Sequence, residues 1–287
     1  MGGASGARRS RTGGVRWLAA AVVLLGVVGV MTACDLTLTA EDDEPIEPGS
    51  TVFSAFRPEQ DPDEALNVVF VPDGSYGDQS VLANRQAFLD DVADLIDTGF
   101  WQNNMFVMNW PLVNFYYMTA SGTVSPPTTG ICPTVTWPAE ADTDGAFADL
   151  LLLIHTNELR DCAGGGRATS EPTSFRTVVH EASHALFALP DEYCCDGGYW
   201  EVPPVLYDAV NDCNNDPVNA AWRDCDQLGA TTLWWRSEDT TTDIMNAGDA
   251  TVHEYGRADW VVVRNVLDDL GTVTEPTVFA PNAWDRT

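Results

Sequence analysis

His180-Glu181-Ala182-Ser183-His184, continuing as HEASHALFALPDEY through Tyr193, constrains this chain more than any other stretch. On a helix, residues i and i+4 share a face, so the two imidazoles stand one turn apart. Both can then point a ring nitrogen at one Zn²⁺ about 2.0–2.1 Å away. Glu181 lies about 100° around the axis. From there it flanks the ion rather than binding it, and can take a proton from a water whose pKa the metal lowers toward about 7.

A catalytic zinc requires a third protein ligand and an open position. Asp191 and Glu192 are nearest. On a straight helix Asp191 would sit about 10.5 Å along the axis from His184, too far to share the ion. The helix therefore has to stop first. Pro190 disfavours helical geometry at Leu189, which puts the stop near Ala188, followed by a turn back toward the metal. Asp191 is the expected third ligand, Glu192 the alternate, and His253 follows them; acids that do not bind zinc would brace a histidine from behind. Tyr193 and Tyr255 are both candidates to steady the oxyanion of a tetrahedral intermediate.

Around this segment, apolar runs alternate with helical periodicity. Residues 67–72 form a buried-strand run closed by the turn signal Asp73-Gly74, with Asp73 and Tyr76 as turn residues. A helix follows, with Val81, Leu82, Phe88, Leu89, Val92, Leu95 and Ile96 at helical spacing until Gly99 stops it. Residues 105–110 and 114–118 are rich in aromatic and β-branched side chains and read as strands, and 121–138 as a loop. The apolar run 149–155 leaves helix and strand open by periodicity, and its brevity favours a strand. His155 at its end reads as a satisfied histidine rather than a ligand. Residues 162–173 read as a Gly-rich loop, and Ser174 as the N-cap of a helix burying Val178, Val179, Ala182, Ala185 and Leu186. Residues 194–241 are turn-rich, with Trp200, Trp222, Trp234 and Trp235 read as core more than as a substrate groove, and 261–270 is a closing helix.

Arg8, Arg9, Arg11 and Arg16 precede an apolar run of signal-peptide length and then Met31-Thr32-Ala33-Cys34, which resembles a bacterial lipobox. Residues 1–33 are thus expected to be a lipoprotein signal and Cys34 the lipidated residue. The acidic, Pro-punctuated residues 34–64 would be a flexible tether, 65–272 the catalytic domain (upper part 65–189, lower part 190–272), and 273–287 a tail. Such a protein sits outside the cytoplasm on a bacterial cell surface, attached to the membrane through Cys34, or is secreted if Cys34 is not lipidated. Four of the 14 basic residues precede Cys34, so 10 arginines and no lysine face all 43 acids beyond it, a net charge of −33. That argues against nucleic acid as a partner. The six remaining cysteines suit disulfides in an exported chain. Cys132 with Cys162 is the expected first pair, and Cys194 and Cys195 would join Cys213 and Cys225 in either order.

HEASHALFALPDEY resembles the HExxH...DEY segment of the IgA-peptidase family of zinc metallopeptidases, which are metzincin-like. Residues 67–76, NVVFVPDGSY, look like that family's strand ending in a DGY motif, and 148–155 like the strand before its active helix. The resemblance covers roughly residues 65–195. It implies a metzincin-like α/β (α+β) fold: a mixed twisted sheet with helices and an active-site helix, followed by an irregular disulfide-stapled C-terminal subdomain. It also implies a Met-turn beneath the zinc, for which Met245 in Asp243-Ile244-Met245-Asn246 is the match. Two positions depart from the pattern: Ser75 within the DG-Tyr segment, and Ala188 where the family usually has Gly. A left-handed Ala188 would cost about 1 kcal/mol. The function expected is that of a monomeric zinc metalloendopeptidase acting on proteins or peptides. The alternatives are a surface binding lipoprotein on a peptidase scaffold and a zinc amidase acting on cell-wall peptide. Glu181 favours an enzyme, because a structural zinc site needs ligands but no base.

Overall fold

The structure, a computed structural model, describes residues 38–39, 45–55, 60–193, 199–217, 225–237, 243–246 and 253–276. Cys34 and the signal segment before it, Cys194, Cys195 and Trp222 lie outside the described residues. In chain order the elements are β1 (Val52–Ser54), β2 (Leu66–Pro72), α1 (Leu82–Asp94), α2 (Asn104–Met108), β3 (Val113–Met118), β4 (Thr123–Ser125), β5 (Thr134–Thr136), β6 (Leu150–Ile154), β7 (Ala163–Gly164), β8 (Arg167–Ser170), α3 (Phe175–Phe187), β9 (Leu206–Tyr207), α4 (Val210–Asn215), β10 (Asp226–Gln227), β11 (Trp235–Arg236) and α5 (Arg257–Asp268).

β2 and β6 are buried at every position, as strands covered on both faces should be. They form the middle of a six-stranded sheet in the order β1-β3-β2-β6-β8-β7. The four inner strands run parallel, and antiparallel β1 and β7 close the two edges. Pairing on both sides resolves the leucine run of β6, with Leu152 opposite Phe70 on one side and Ala168 on the other. Alternation along β2 feeds two layers. Leu66, Val68 and Phe70 meet Phe88 and Leu89 of α1, Val178 and Ala182 of α3, and Val263 and Leu267 of α5. Val69 and Val71 face the opposite layer with Tyr116, Ala141 and Leu153. The result is a mixed α/β architecture with α1, α2, α3 and α5 gathered on one face of the sheet. Among the described residues no helix is long and apolar enough to cross a membrane.

Several expectations change. Residues 105–110, expected as a strand, are helical over α2, because the Asn103 side chain accepts the Met105 N–H and starts a turn that drops Met105 and Phe106 into the core. A cap here outweighs composition. The loop expected at 121–138 contains the β4–β5 hairpin, and the Gly-rich loop at 162–173 contains β7 and β8. Val81 and Leu82 are 48% and 43% exposed, so the buried stripe of α1 begins at Phe88. Ser174 occupies the N-cap position, yet its hydroxyl donates to Glu171 instead of capping. β1 falls inside the stretch expected to be a tether. Val52 pairs with Met118, and the N–H and hydroxyl of Thr51 both donate to Asp144, so the sheet begins before residue 65. α5 starts at Arg257 rather than 261. The Trp-rich stretch contains α4 and a small sheet ordered β10-β11-β9, with Trp235 on β11 and Trp234 against Tyr199. Cys132 pairs with Cys162 as expected. Cys213 bonds Cys225 rather than Cys194 or Cys195, since α4 and the start of β10 bring their Cα atoms to 6.0 Å.

Candidate functional site

The site is built on α3. Gly99, at the end of the wider turn Leu95–Gly99 after α1, lets the first turn of α3 approach closely: a Cβ there would lie 2.9 Å from Val178 Cγ1 and 3.0 Å from the Phe175 carbonyl. Val178, Val179 and Ala182 then bury against the sheet, and Glu181 and His184 line a cavity shared with Ala163 of the edge strand β7. The helix stops where expected. Ala188 adopts the left-handed conformation, φ 52° and ψ 32°, and its N–H returns to the Ser183 carbonyl. Leu189 and Pro190 then reverse the chain and bring Asp191 back to the histidines.

His180 Nε2 and His184 Nε2 are 3.1 Å apart, and each is 3.2 Å from Asp191 Oδ1. The other ring nitrogens are spoken for: His180 Nδ1 donates to the Ile244 carbonyl at 2.8 Å and His184 Nδ1 to the Leu189 carbonyl at 2.6 Å. A carbonyl only accepts, so each ring carries its proton on Nδ1 and presents a lone pair at Nε2. Asp191 Oδ1 is buried and takes no hydrogen bond. Three electron-pair donors packed this closely repel one another unless a cation lies among them. Their spacing is near the roughly 3.3 Å that separates tetrahedral ligands held at 2.0–2.1 Å, and a donor set of two imidazoles and a carboxylate suits Zn²⁺. Burial works to raise the Asp191 carboxyl, and protons on the two facing Nε2 atoms would outweigh it and hold the group well below the usual carboxylate range, the position a cation takes when those nitrogens are unprotonated. For His184, burial pulls the pKa down, and Asp191 with Glu181 more than reverses that.

Glu181 stands beside this triad on the wall of a 270 Å³ cavity, whose rim also includes Arg160, Asp161, Tyr193, Trp200 and the Cys132–Cys162 disulfide. Burial raises the Glu181 carboxyl above its ordinary value, against the pull of His180 and His184. Asp161 is engaged by buried His155, whose Nε2 lies 3.1 Å from Asp161 Oδ1 while Nδ1 faces the Asn157 carbonyl. Both nitrogens therefore donate, and His155 is an imidazolium; burial opposes that charge, and Asp161 outweighs burial to raise its pKa. His155 is satisfied, as expected, and lies outside the triad.

The remaining expected site residues divide. Tyr193 reaches the cavity, with its ring 6.2 Å from that of His180. Trp200 also reaches it, donating Nε1–H to the Ala188 carbonyl beside the His184 ring. Glu192, the alternate ligand, turns away from the histidines and joins Asp243 and Asp259 in a buried carboxyl group, where burial raises Asp243. Alternate residues of an extended turn point to opposite sides, so only one acid of the pair can meet α3. Tyr255 is buried, with its hydroxyl 2.6 Å from Ser183 Oγ, and it braces the back of α3 instead of facing the cavity. His253 lends its carbonyl to Asn103 and lies outside the triad. Asp73 and Tyr76 are turn residues: Asp73 caps a short 3₁₀ turn and Tyr76 donates to Asp91. Met245 is buried, and the contacts of its turn run through the backbone. Glu192 N–H donates to the Met245 carbonyl, His180 to that of Ile244, and Arg176 Nη2 to those of Asp243, Ile244 and Asn246. Arg160, Asp161 and Arg176 carried no local signal, because each meets the site only through the tertiary fold.

No protein-family model and no curated protein matches the chain. A function is accordingly argued from the site itself.

Proposed function

We propose that this protein is a zinc-dependent metallopeptidase of metzincin-like architecture that hydrolyses peptide bonds of extracellular proteins. The observation that carries the reading is the triad of His180 Nε2, His184 Nε2 and Asp191 Oδ1, mutually 3.1–3.2 Å apart, with Glu181 beside it on an open cavity. Zinc held by these three groups would supply Lewis acidity toward a carbonyl oxygen and make water acidic near neutral pH. Glu181 takes a proton from the attacking water as its oxygen bonds to the scissile carbon. It then delivers that proton to the departing amide nitrogen, so one water is consumed and one carboxyl and one amine terminus are released. The two Nδ1–H···O=C bonds keep both imidazoles turned with Nε2 toward Asp191, the face where an ion would be held. Tyr193, which lines the same cavity, would donate to the oxyanion in this reading. In the same reading the 243–246 turn is the Met-turn, and Cys34 carries the lipid that holds the protein to the outer side of a bacterial membrane.

Glu181→Gln is the deciding variant. The zinc-reconstituted variant should keep its metal by elemental analysis and lose hydrolysis of denatured-protein and peptide substrates by about 10²–10⁴-fold. Zinc retained by both proteins, with no Glu181-dependent cleavage of any substrate, would instead identify a binding module.

A further inference from the structure

Asp161 is the acid of the cavity that neither the metal ligands nor the base account for. It lines the same 270 Å³ space as Glu181, His184 and Asp191, with only 8% of its surface exposed. Its Oδ1 takes the Nε2–H of His155 at 3.1 Å, and that is the one hydrogen bond its carboxylate makes among the described residues. Oδ2 is left without a bond and is not sealed from solvent. The neighbouring Arg160 sends its Nη2 to the Tyr193 hydroxyl rather than to this carboxylate.

The carboxylate is fixed from both sides. Behind it, His155 is fully buried, its Nδ1 donates to the Asn157 carbonyl, and its backbone N–H donates to the Ser170 carbonyl at 3.0 Å. Ahead of it, Cys162 is bonded to Cys132, and the Cys162 N–H donates to Thr169 Oγ1. An acceptor held this firmly loses little freedom when it binds a ligand. The imidazolium also keeps Asp161 ionised, where a carboxyl crowded beside Glu181 and Asp191 would otherwise take up a proton. An ionised oxygen on a cavity wall accepts charge-assisted hydrogen bonds, about twice as strong as neutral ones, and its complement is a cation that carries N–H groups. His155 is not on the cavity wall, so an approaching cation meets the carboxylate first. The excess of acids over the whole chain draws such a cation toward the molecule.

Building on the peptidase reading, we infer that Asp161 binds a substrate ammonium or guanidinium group beside the scissile bond. The cleft thereby selects peptides bearing a basic side chain or a free N-terminus at that position. Asp161 is a specificity-determining residue, distinct from the metal ligands and the base.

The test uses the zinc-loaded Glu181→Gln protein, which binds without turnover, and octapeptides blocked at both ends in which one Lys is walked through every position of a Gln background. A second arm compares free with acetylated N-termini. Calorimetry at about 0.15 M salt largely screens the field of distant acids. There one Lys register, or the free amine, should bind about tenfold tighter than its neutral match, the effect of a single charge-assisted hydrogen bond. Adding Asp161→Asn should abolish that preference by weakening the charged peptide more than the neutral one, with zinc content retained. Asp161→Glu should keep the charge but displace it, so the preference should weaken or change register, and this variant decides the matter if Asp161→Asn does not fold. Preference that follows the Lys register assigns a side chain, and preference that follows the free amine assigns a terminus. Equal affinity for charged and neutral peptides, the same gain at every Lys position, or a preference that passes undiminished through both variants overturns the inference. Equal weakening of charged and neutral peptides by Asp161→Asn also overturns it, reducing the pair with His155 to a structural one. Cleavage by the wild-type protein is scored separately. Cation-selective binding without cleavage would sink the peptidase reading and keep this one, and cleavage without selectivity would do the reverse.

Discussion

Ala188 shows how one residue decides whether the site closes. A left-handed backbone places the alanine Cβ against its own carbonyl at a cost of about 1–2 kcal/mol, and glycine would avoid it. The strain is sustained because everything after it depends on the reversal: the Leu189 carbonyl orients His184, and Asp191 completes the triad. Ala188→Gly should therefore raise unfolding stability. Relief of the strain exceeds the extra freedom glycine has in the unfolded chain, for a net gain of about 0.5–1 kcal/mol. Urea denaturation of the metal-free protein measures it. A loss of stability would mean that the Cβ makes packing contacts worth more than the strain. Zinc affinity should be unchanged, since the ligands keep their register.

At the scale of elements, the site depends on how tightly α3 seats against the turn that ends α1. Gly99→Ala would put a methyl 2.9 Å from Val178 Cγ1 and 3.0 Å from a backbone carbonyl that cannot swing aside. Overpacking of this kind costs about 1–3 kcal/mol. The shift would propagate along α3 to His180, so the variant should be less stable in urea and also bind zinc more weakly by competition with a chelator. Full stability would show that the helix can slide. The same elements explain what could be read in advance. His180, Glu181, His184 and Asp191 obey local rules, the helical repeat and a helix stop imposed by Pro190, so their convergence is legible from the order of residues. The runs 67–72 and 149–155 were legible as strands because burial on both faces demands continuous apolar sequence. α2 was not, because one Asn103 cap outweighs a run of aromatic and β-branched residues. β7 and β8 were hidden because Gly-rich pairs carry almost no strand pattern until β6 offers an edge. Glu192 and Tyr255 were misplaced for a further reason: the 243–246 turn and Ser183 draw them beneath and behind α3, and those contacts span more than 50 residues of chain.

The whole molecule carries a charge that no single contact reflects. Forty-three acids face 14 basic residues in the full chain, so most of the acids have no base to pair with. Mutual repulsion among like charges favours expansion, so part of the folding free energy is offset by the chain's own field. Screening should recover it. The Debye length falls from about 30 Å at 0.01 M salt to about 3 Å at 1 M, short enough to uncouple neighbouring surface carboxylates. The melting temperature at neutral pH should accordingly rise with sodium chloride. Most of the gain should arrive below about 0.15 M, where screening changes fastest, rather than in the molar range where excluded salts act by strengthening burial. Differential scanning calorimetry across that range separates the two causes by the shape of the curve. A melting temperature that is flat or falling from 0.01 M upward would mean that the acids are held apart well enough not to oppose folding. A rise confined to molar salt would assign the effect to solvent exclusion, leaving the negative surface to serve solubility alone.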